Sequence, residues 1–347
     1  MFVMGGPVKS QPLTLGFYDP GKIGYGLMHA LMRDEQDTQA VVLIKAEHRR
    51  AAPPGVTMTP TLRHLFQQDG VLQTNLDDFV SRADVIFFCG RARYGYGAVA
   101  RLIAAPAWQQ SPEKKIINVS KGLWKNDAGE VNLPSGHFPD VYRDNRLGML
   151  SGLSFHTTLL HDYPVKMALS AAASWDHEAR TLSRPQRLMI APDRALRAAE
   201  LYGIMKNPLA IAAGYCDGED IPVLMGTLAA LEAERVARTF YPNPDQTFSS
   251  CYALDDVWGS MTPLSRNFRY GRDLRAHGPQ AADVYRTREG TPSLPEGVEG
   301  SLTWHLYRQT LGAALPPTPL MDAVYRLCQS HPDGPQDMRM AVEGYRG

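Results

Sequence analysis

At 347 residues the chain is long enough for two domains, each with a sizeable core. Its 36 Lys and Arg equal its 36 Asp and Glu, which excludes a general attraction to nucleic acid or to an anionic membrane. Four widely spaced cysteines (Cys89, Cys216, Cys251, Cys328) read as reduced core residues, not a disulfide framework or a zinc site; no apolar run is long enough to span a membrane, so the expected location is the cytoplasm.

The chain starts Met1-Phe-Val-Met-Gly-Gly-Pro7, without the long apolar segment of a signal peptide. Short apolar runs then follow at Leu13–Tyr18, Ala40–Ile44, Asp84–Cys89 and Ile116–Val119, with further strand patterns at Leu147–Leu150, Val165–Ser170 and Arg187–Ala191. Such runs suit strands covered on both faces. Helical patterns lie between them, as at Gly24–Met32 and Tyr96–Ile103. This alternation predicts an α/β fold with a doubly wound, Rossmann-type sheet over residues 11–198. After about Pro192 the strand patterns stop. Helices are predicted over Ala195–Cys216, Val223–Phe240, Leu302–Leu311 and Met321–Cys328, so residues 199–347 are expected to form an all-helical domain. The Pro/Gly-rich stretch Glu289–Gly300 reads as a loop between helices. The crevice between the two domains is the default ligand site.

A dinucleotide site needs a tight turn between its first strand and first helix, so that backbone N–H groups meet the pyrophosphate. The chain offers Tyr18-Asp-Pro-Gly-Lys-Ile-Gly24 there. Gly21 and Gly24 match the second and third glycines of GxGxxG, with Lys22 and Ile23 between them. Asp19 replaces the first. Glu47, after the second strand, has the spacing of an acid that binds the ribose of NAD. Arg49, within His48-Arg-Arg50, would instead embrace the 2′-phosphate of NADP; both cofactors stay open.

Leu201-Tyr-Gly-Ile-Met-Lys-Asn-Pro-Leu-Ala-Ile-Ala-Ala-Gly214 sets Lys206 and Asn207 inside an otherwise apolar helical run. Burying an ammonium is costly, so a lysine placed there is a candidate for chemistry. Pro208 should bend this helix or mark a local break. Three more segments accompany it: Ile116-Ile-Asn-Val-Ser-Lys-Gly-Leu123, Met149-Leu-Ser-Gly-Leu-Ser-Phe155 and Thr262-Pro-Leu-Ser-Arg-Asn-Phe-Arg-Tyr-Gly271. With Glu296-Gly-Val298, these resemble, in order, the SKGL turn, LSGPSF loop, LKNVIAIAAG helix, SRNxxxG segment and EGV segment of the NAD(P)-dependent glycerol-3-phosphate dehydrogenase family.

The resemblance implies the two-domain fold of the 6-phosphogluconate/glycerol-3-phosphate dehydrogenase type, with NAD or NADP as cofactor. It implies that Lys206 is the general acid and base, that Lys121 polarises or positions the substrate, and that Asp255 balances their charge. Adjacent Asp256 leaves that last alignment open by one residue. Arg266 and Asn267 would bind a substrate phosphate through a bidentate fork and a directed N–H. Asn207 would orient the substrate, and Glu296 would lie near the cofactor. The expected partner is a small phosphorylated substrate, with a homodimer left open and no nucleic acid or membrane span. The implied reaction interconverts glycerol 3-phosphate and dihydroxyacetone phosphate. Departures from the family pattern at Asp19, Leu153, His156, Thr158, Pro208 and Gly259 keep two alternatives: a dehydrogenase of a specialised pathway acting on another phosphorylated or phosphonate compound, and a catalytically silent binding protein. His156 is either an extra acid-base group or a structural histidine. No metal-ligand cluster and no Ser-His-Asp set is apparent.

Overall fold

The computed structural model describes residues 13–33, 38–43, 58–152, 156–161, 164–173, 175–184, 187–217, 222–240 and 257–345. Strands and helices alternate through the first half: β1 (Leu13–Tyr18), α1 (Lys22–Met32), β2 (Thr38–Leu43), α2 (Pro60–Gln67), β3 (Leu72–Gln73), α3 (Leu76–Arg82), β4 (Val85–Phe88), α4 (Gly95–Ala104), α5 (Pro106–Gln109) and β5 (Lys115–Asn118). A small hairpin, β6 (Trp124–Lys125) and β7 (Val131–Asn132), and two short helices, α6 (Pro134–His137) and α7 (Pro139–Arg143), come next. Then follow β8 (Leu147–Gly152), α8 (His156–Leu160), β9 (Val165–Ala171), α9 (Asp176–Leu182) and β10 (Leu188–Asp193). Beyond β10 the described residues carry helices only: α10 (Leu196–Tyr215), α11 (Pro222–Phe240), α12 (Arg266–His277), α13 (Ala281–Glu289), α14 (Glu296–Leu311), α15 (Pro319–Cys328) and α16 (Gly334–Glu343). None of the described helices is long and apolar enough to cross a membrane.

Eight strands form one sheet in the order β10-β9-β8-β5-β4-β1-β2-β3. All neighbours pair in parallel except β8 and β9, which are antiparallel. The strand sequences explain why the sheet is covered on both sides. Val85 and Phe87 join one core with Leu15, Phe17 and Leu150, while Ile86 and Phe88 join another with Val41, Ile116 and Leu147. Successive side chains of a strand face opposite ways, so a wholly apolar strand needs a helical layer on each face. β1 lies between β2 and β4, so the chain's winding reverses there, and the crevice outside the ends of β1 and β4 is the place such a sheet offers a ligand.

The helical half is built around α10. Every residue from Ala198 to Met205 and from Asn207 to Gly214 is buried, leaving Lys206 partly exposed. The expected domain boundary after residue 198 falls in the first turn of this helix. α10 runs as one helix through Pro208, without the break that the proline suggests. The ring is packed against α14 instead: a Cβ on Gly300 would lie 3.3 Å from Pro208 Cγ. α10 and α12 cross with their backbones in contact. A Cβ on Gly214 would stand 2.7 Å from the Phe268 carbonyl carbon, and one on Gly271 would stand 2.7 Å from Tyr215 N. The expected loop at Glu289–Gly300 is shorter than its composition suggests, because Glu296 already opens α14. Pro295 precedes that helix, and Glu296 and Glu299 sit in its first turn, where negative charge is favoured.

Candidate active site

The first wall of the crevice is the turn between β1 and α1. Asp19 takes a φ of 48°, the left-handed conformation that a first glycine would supply. Aspartate is one of the few side chains that tolerate it. Its N–H donates to the Leu43 carbonyl of β2 at 3.3 Å, and its carboxylate faces the end of β4, where a Cβ on Gly90 would be 3.3 Å from Asp19 Oδ2. Burial, with a contribution from this charge, pushes the Tyr25 hydroxyl up to about 12 and raises the Cys89 thiol. Gly24 is required by packing: a Cβ there would meet Pro20 Cβ at 2.8 Å and Cys89 Cβ at 2.9 Å. Gly21 is different. It occupies the N-cap of α1, no side chain caps the helix, its first turn holds no acid, and a Cβ on it would find only the Cys89 carbonyl at 3.8 Å. The N–H groups of Lys22, Ile23 and Gly24 have no partner within the helix. This is an open cradle at a helix N-terminus and fits the diphosphate of a dinucleotide. Glu47 and Arg49, proposed from the sequence for the ribose end, lie outside the described residues.

The second wall is the turn after β5. Asn118 Oδ1 accepts from Ser120 N at 2.9 Å and from Ser120 Oγ at 2.7 Å, which folds the chain back. Trp124 Nε1 donates to Ser120 Oγ at 3.3 Å. Gly122 has a φ of 156°, and a Cβ on it would strike Ala92 Cβ at 2.6 Å. Lys121 Nζ donates to the Leu150 carbonyl of β8 at 3.2 Å. Its stem crosses α10 at Gly203, whose missing Cβ would stand 3.2 Å from Lys121 Cδ. Lys206 and Asn207 follow Gly203 by three and four positions, so they share its helix face. The turn thus delivers Lys121 to the stretch of α10 that carries Lys206.

Beside Lys206 the helical half closes a buried amide clasp. Gly297 N donates to Asn267 Oδ1 at 2.8 Å, Asn267 Nδ2 donates to Asn207 Oδ1 at 3.0 Å, and Asn207 Nδ2 donates to Glu296 Oε2 at 3.3 Å. A backbone N–H can only donate and a carboxylate can only accept, so both amides have one allowed orientation. Gly297 must be glycine here, since a Cβ would fall 2.6 Å from the Asn207 carbonyl and 2.7 Å from Asn267 Oδ1. The clasp joins the middle of α10 to the first turns of α12 and α14. Arg266 is the first residue of α12, just after its N-cap Ser265, and is exposed. No carboxylate among the described residues pairs with it. By contrast, Arg269 on the same helix and Arg288 on α13 are held by Glu289 and Asp273.

The structure therefore brings Lys121, Lys206, Asn207, Asn267 and Glu296 to one place, with Arg266 next to Asn267 and the Gly21–Gly24 turn on the adjoining sheet edge. Asp255 lies outside the described residues, as does the side chain of His156. Among the described residues no group of His, Cys, Asp and Glu could hold a metal ion. A concavity of about 590 Å³ is lined by Leu231, Glu234, Arg235, Arg238, Thr239 and Tyr345 and contains none of these residues. Its walls already satisfy one another, through the Arg238–Glu234 ion pair and the Arg235 guanidinium over the Tyr345 ring. Sequence reasoning passed over the strap that leaves β4, Cys89 to Arg93. Arg91 Nη1 donates to Ser293 Oγ at 3.2 Å, across from the sheet half to the loop before α14. A guanidinium just past the carboxyl end of a strand at the winding reversal is the signal that could have found it.

Comparison with known proteins bears on the fold and on the helical half. A family model described as the C-terminus of NAD-dependent glycerol-3-phosphate dehydrogenase matches residues 196–338. A protein of Campylobacter lari named glycerol-3-phosphate dehydrogenase (NAD(P)+) is 27% identical over 176 residues, which is 49% of this chain and 57% of that relative. One of the same name from Gloeobacter violaceus is 27% identical over 260 residues, 72% of this chain and 80% of its own length. The crystal structure of glycerol-3-phosphate dehydrogenase from Coxiella burnetii shares the fold, with a TM-score of 0.77 at 19% identity over 96% of this chain and 100% of that one.

Proposed function

We propose that this chain, a diverged relative of the NAD(P)-dependent glycerol-3-phosphate dehydrogenases, interconverts a hydroxyl and a ketone on a small phosphate-bearing substrate. The observation that carries the reading is the meeting of Lys121 and the Lys206–Asn207 segment across Gly203, flanked by the amide clasp. The preferred substrate pair is glycerol 3-phosphate and dihydroxyacetone phosphate. The cofactor, NAD or NADP, supplies the hydride when bound. Gly21, Lys22, Ile23 and Gly24 hold its diphosphate, with Glu47 or Arg49 at its ribose end and Glu296 on the opposite side of the crevice.

Lys206 delivers a proton to the ketone oxygen as the alcohol forms and takes it back in the reverse direction. Lys121, held by the Leu150 carbonyl, positions the oxygen, and Asp255 offsets the two ammonium charges. Each of Asn207 and Asn267 engages one of its two amide N–H groups in the clasp, which leaves the second for a substrate oxygen. Arg266 and the N-terminus of α12 take the phosphate, whose binding energy fixes the distant reacting carbon. Residues 11–198 and 199–347 serve as the cofactor and substrate domains.

The test is to follow the reduced-nicotinamide absorbance with dihydroxyacetone phosphate and with a panel of other phosphorylated and phosphonate ketones. Turnover of dihydroxyacetone phosphate is the expected result. Turnover of another member of the panel alone keeps the reaction and replaces the substrate. Absence of cofactor binding in a direct titration would sink the dehydrogenase reading in favour of a silent anion-binding protein.

A further inference from the structure

We infer that Arg91 joins the Gly21–Gly24 turn in binding the cofactor's diphosphate in this chain, offsetting the charge that Asp19 brings to that turn. The inference rests on the dinucleotide reading of the crevice. The strap from Cys89 to Arg93 leaves β4 at the winding reversal and touches all three parts of the site. Gly90 abuts the Asp19 carboxylate, Ala92 packs on Gly122 beside Lys121, and Arg91 reaches Ser293 just before Glu296. Arg91 is therefore carried on the strap that joins the glycine turn, the Lys121 turn and the loop before α14.

Its present contact is weak for a guanidinium. One of five N–H donors meets a neutral hydroxyl, and no carboxylate among the described residues pairs with it. Three other exposed or half-exposed arginines, Arg269, Arg288 and Arg326, are each neutralised by an acid. An arginine with four of its donors uncommitted among the described residues is suited to a doubly charged, oxygen-rich group, which it grips bidentately. Charge balance points the same way. Asp19 alone would repel a diphosphate, and the two segments that flank it carry Lys22 on one side and Arg91 and Arg93 on the other as candidate counter-charges.

The experiment is a fluorescence titration of NADH and NADPH, with inorganic pyrophosphate as competitor, on wild type, Arg91→Gln, Ser293→Ala and the Asp19→Gly/Arg91→Gln double variant. Arg91 is exposed, so its replacement leaves the fold standing, and melting curves check this. The expected result is at least about a tenfold loss of affinity in Arg91→Gln, the scale of a charge-assisted contact. Pyrophosphate should displace cofactor from the wild type and far less from Arg91→Gln. Ser293→Ala should bind as the wild type does, and Asp19→Gly should recover much of the loss when added to Arg91→Gln. Equal affinities of wild type and Arg91→Gln would overturn the inference while leaving the dehydrogenase reading intact. So would an equal loss in Ser293→Ala, which would make Arg91 a strap between the halves. A wild type that binds no nicotinamide, yet is thermally stabilised by pyrophosphate through Arg91, would overturn the dehydrogenase reading and keep Arg91 as an anion site. A wild type that binds neither overturns both.

Discussion

Asp19 in the sheet half and Asn267 in the helical half stand at matching points, each at the start of a helix that faces the crevice, yet they are held in opposite ways. Asp19 is placed by the backbone: a left-handed φ and a main-chain bond to Leu43 make the turn, and among the described residues its side chain adds no hydrogen bond. Asn267 is placed by side-chain chemistry, between Gly297 N–H and Asn207 Oδ1, with no second arrangement that satisfies all three groups. A position fixed by backbone conformation can exchange its side chain and keep the fold. A position fixed by side-chain complementarity cannot.

The largest test of that contrast is Lys206→Met. If the helical half keeps the reacting groups, turnover should fall by about 10²–10⁴-fold, the usual contribution of a proton donor, with the melting temperature little changed. Near-normal turnover on the true substrate would move the chemistry elsewhere. The next test pairs two glycines. Gly214→Ala drives a methyl into the Phe268 carbonyl at the crossing of α10 and α12 and should cost about 1–3 kcal/mol or more in a denaturant titration. Gly21→Ala meets only open space and the Cys89 carbonyl, so it should leave stability unchanged and weaken cofactor binding. A Gly21 variant as unstable as the Gly214 variant would erase the distinction between the halves.

A smaller effect concerns the joint between them. Glu200 of α10 accepts from Ser135 N at 2.9 Å and from Ser135 Oγ at 2.6 Å at the start of α6, and burial raises its carboxyl from 4.5 to about 7. The unfolded chain then loses this proton near 4.5 while the folded chain keeps it to about 7. The folded state binds more protons through that window, so the stability Glu200 contributes is greatest below it and falls as pH rises across it. The slope is at most about 1.4 kcal/mol per pH unit. The melting temperature of wild type minus that of Glu200→Gln should therefore decrease from acid to neutral pH. A difference that grows with pH would mean the carboxylate is held ionised by Ser135.

Much of this architecture was legible because its causes are local. The runs Val85–Phe88 and Ile116–Ile117 had to be covered on both faces, and the buried stripe of α10 had to be central. The site residues Lys121, Lys206, Asn207 and Asn267 stood out as polar groups in apolar or glycine-rich settings. What stayed hidden depends on contacts between distant residues. Pro208 reads as a breaker until Gly300 is seen to pack on its ring, and Glu296-Gly-Val298 reads as loop until Gly297 meets Asn267. Arg91 is one of many surface arginines until Gly90, Ala92 and Ser293 locate it. The antiparallel turn from β8 to β9 left no mark, because apolar runs carry no direction.

The smallest expected effect is the sharpest test of a backbone-held turn. Asp19→Gly keeps the left-handed conformation that the loop needs and removes only the carboxylate. A carboxylate about 4 Å from a phosphate charge meets ~4 kcal/mol of repulsion at an effective dielectric near 20. With solvent screening and the cation proposed at Arg91 offsetting most of this, the net gain in NAD(P)H affinity should be about tenfold, or ~1.4 kcal/mol. Stability should barely change, since relief of a left-handed aspartate is balanced by glycine's extra freedom in the unfolded chain. Asp19→Ala supplies the control. It also removes the charge, but it keeps a Cβ at positive φ without aspartate's tolerance for it, so it should be the less stable of the two while binding cofactor more tightly than wild type. If both variants bind more weakly than wild type, the carboxylate itself contacts the ribose or holds the strap at Gly90. The turn would then be held by side-chain chemistry after all, as the clasp is.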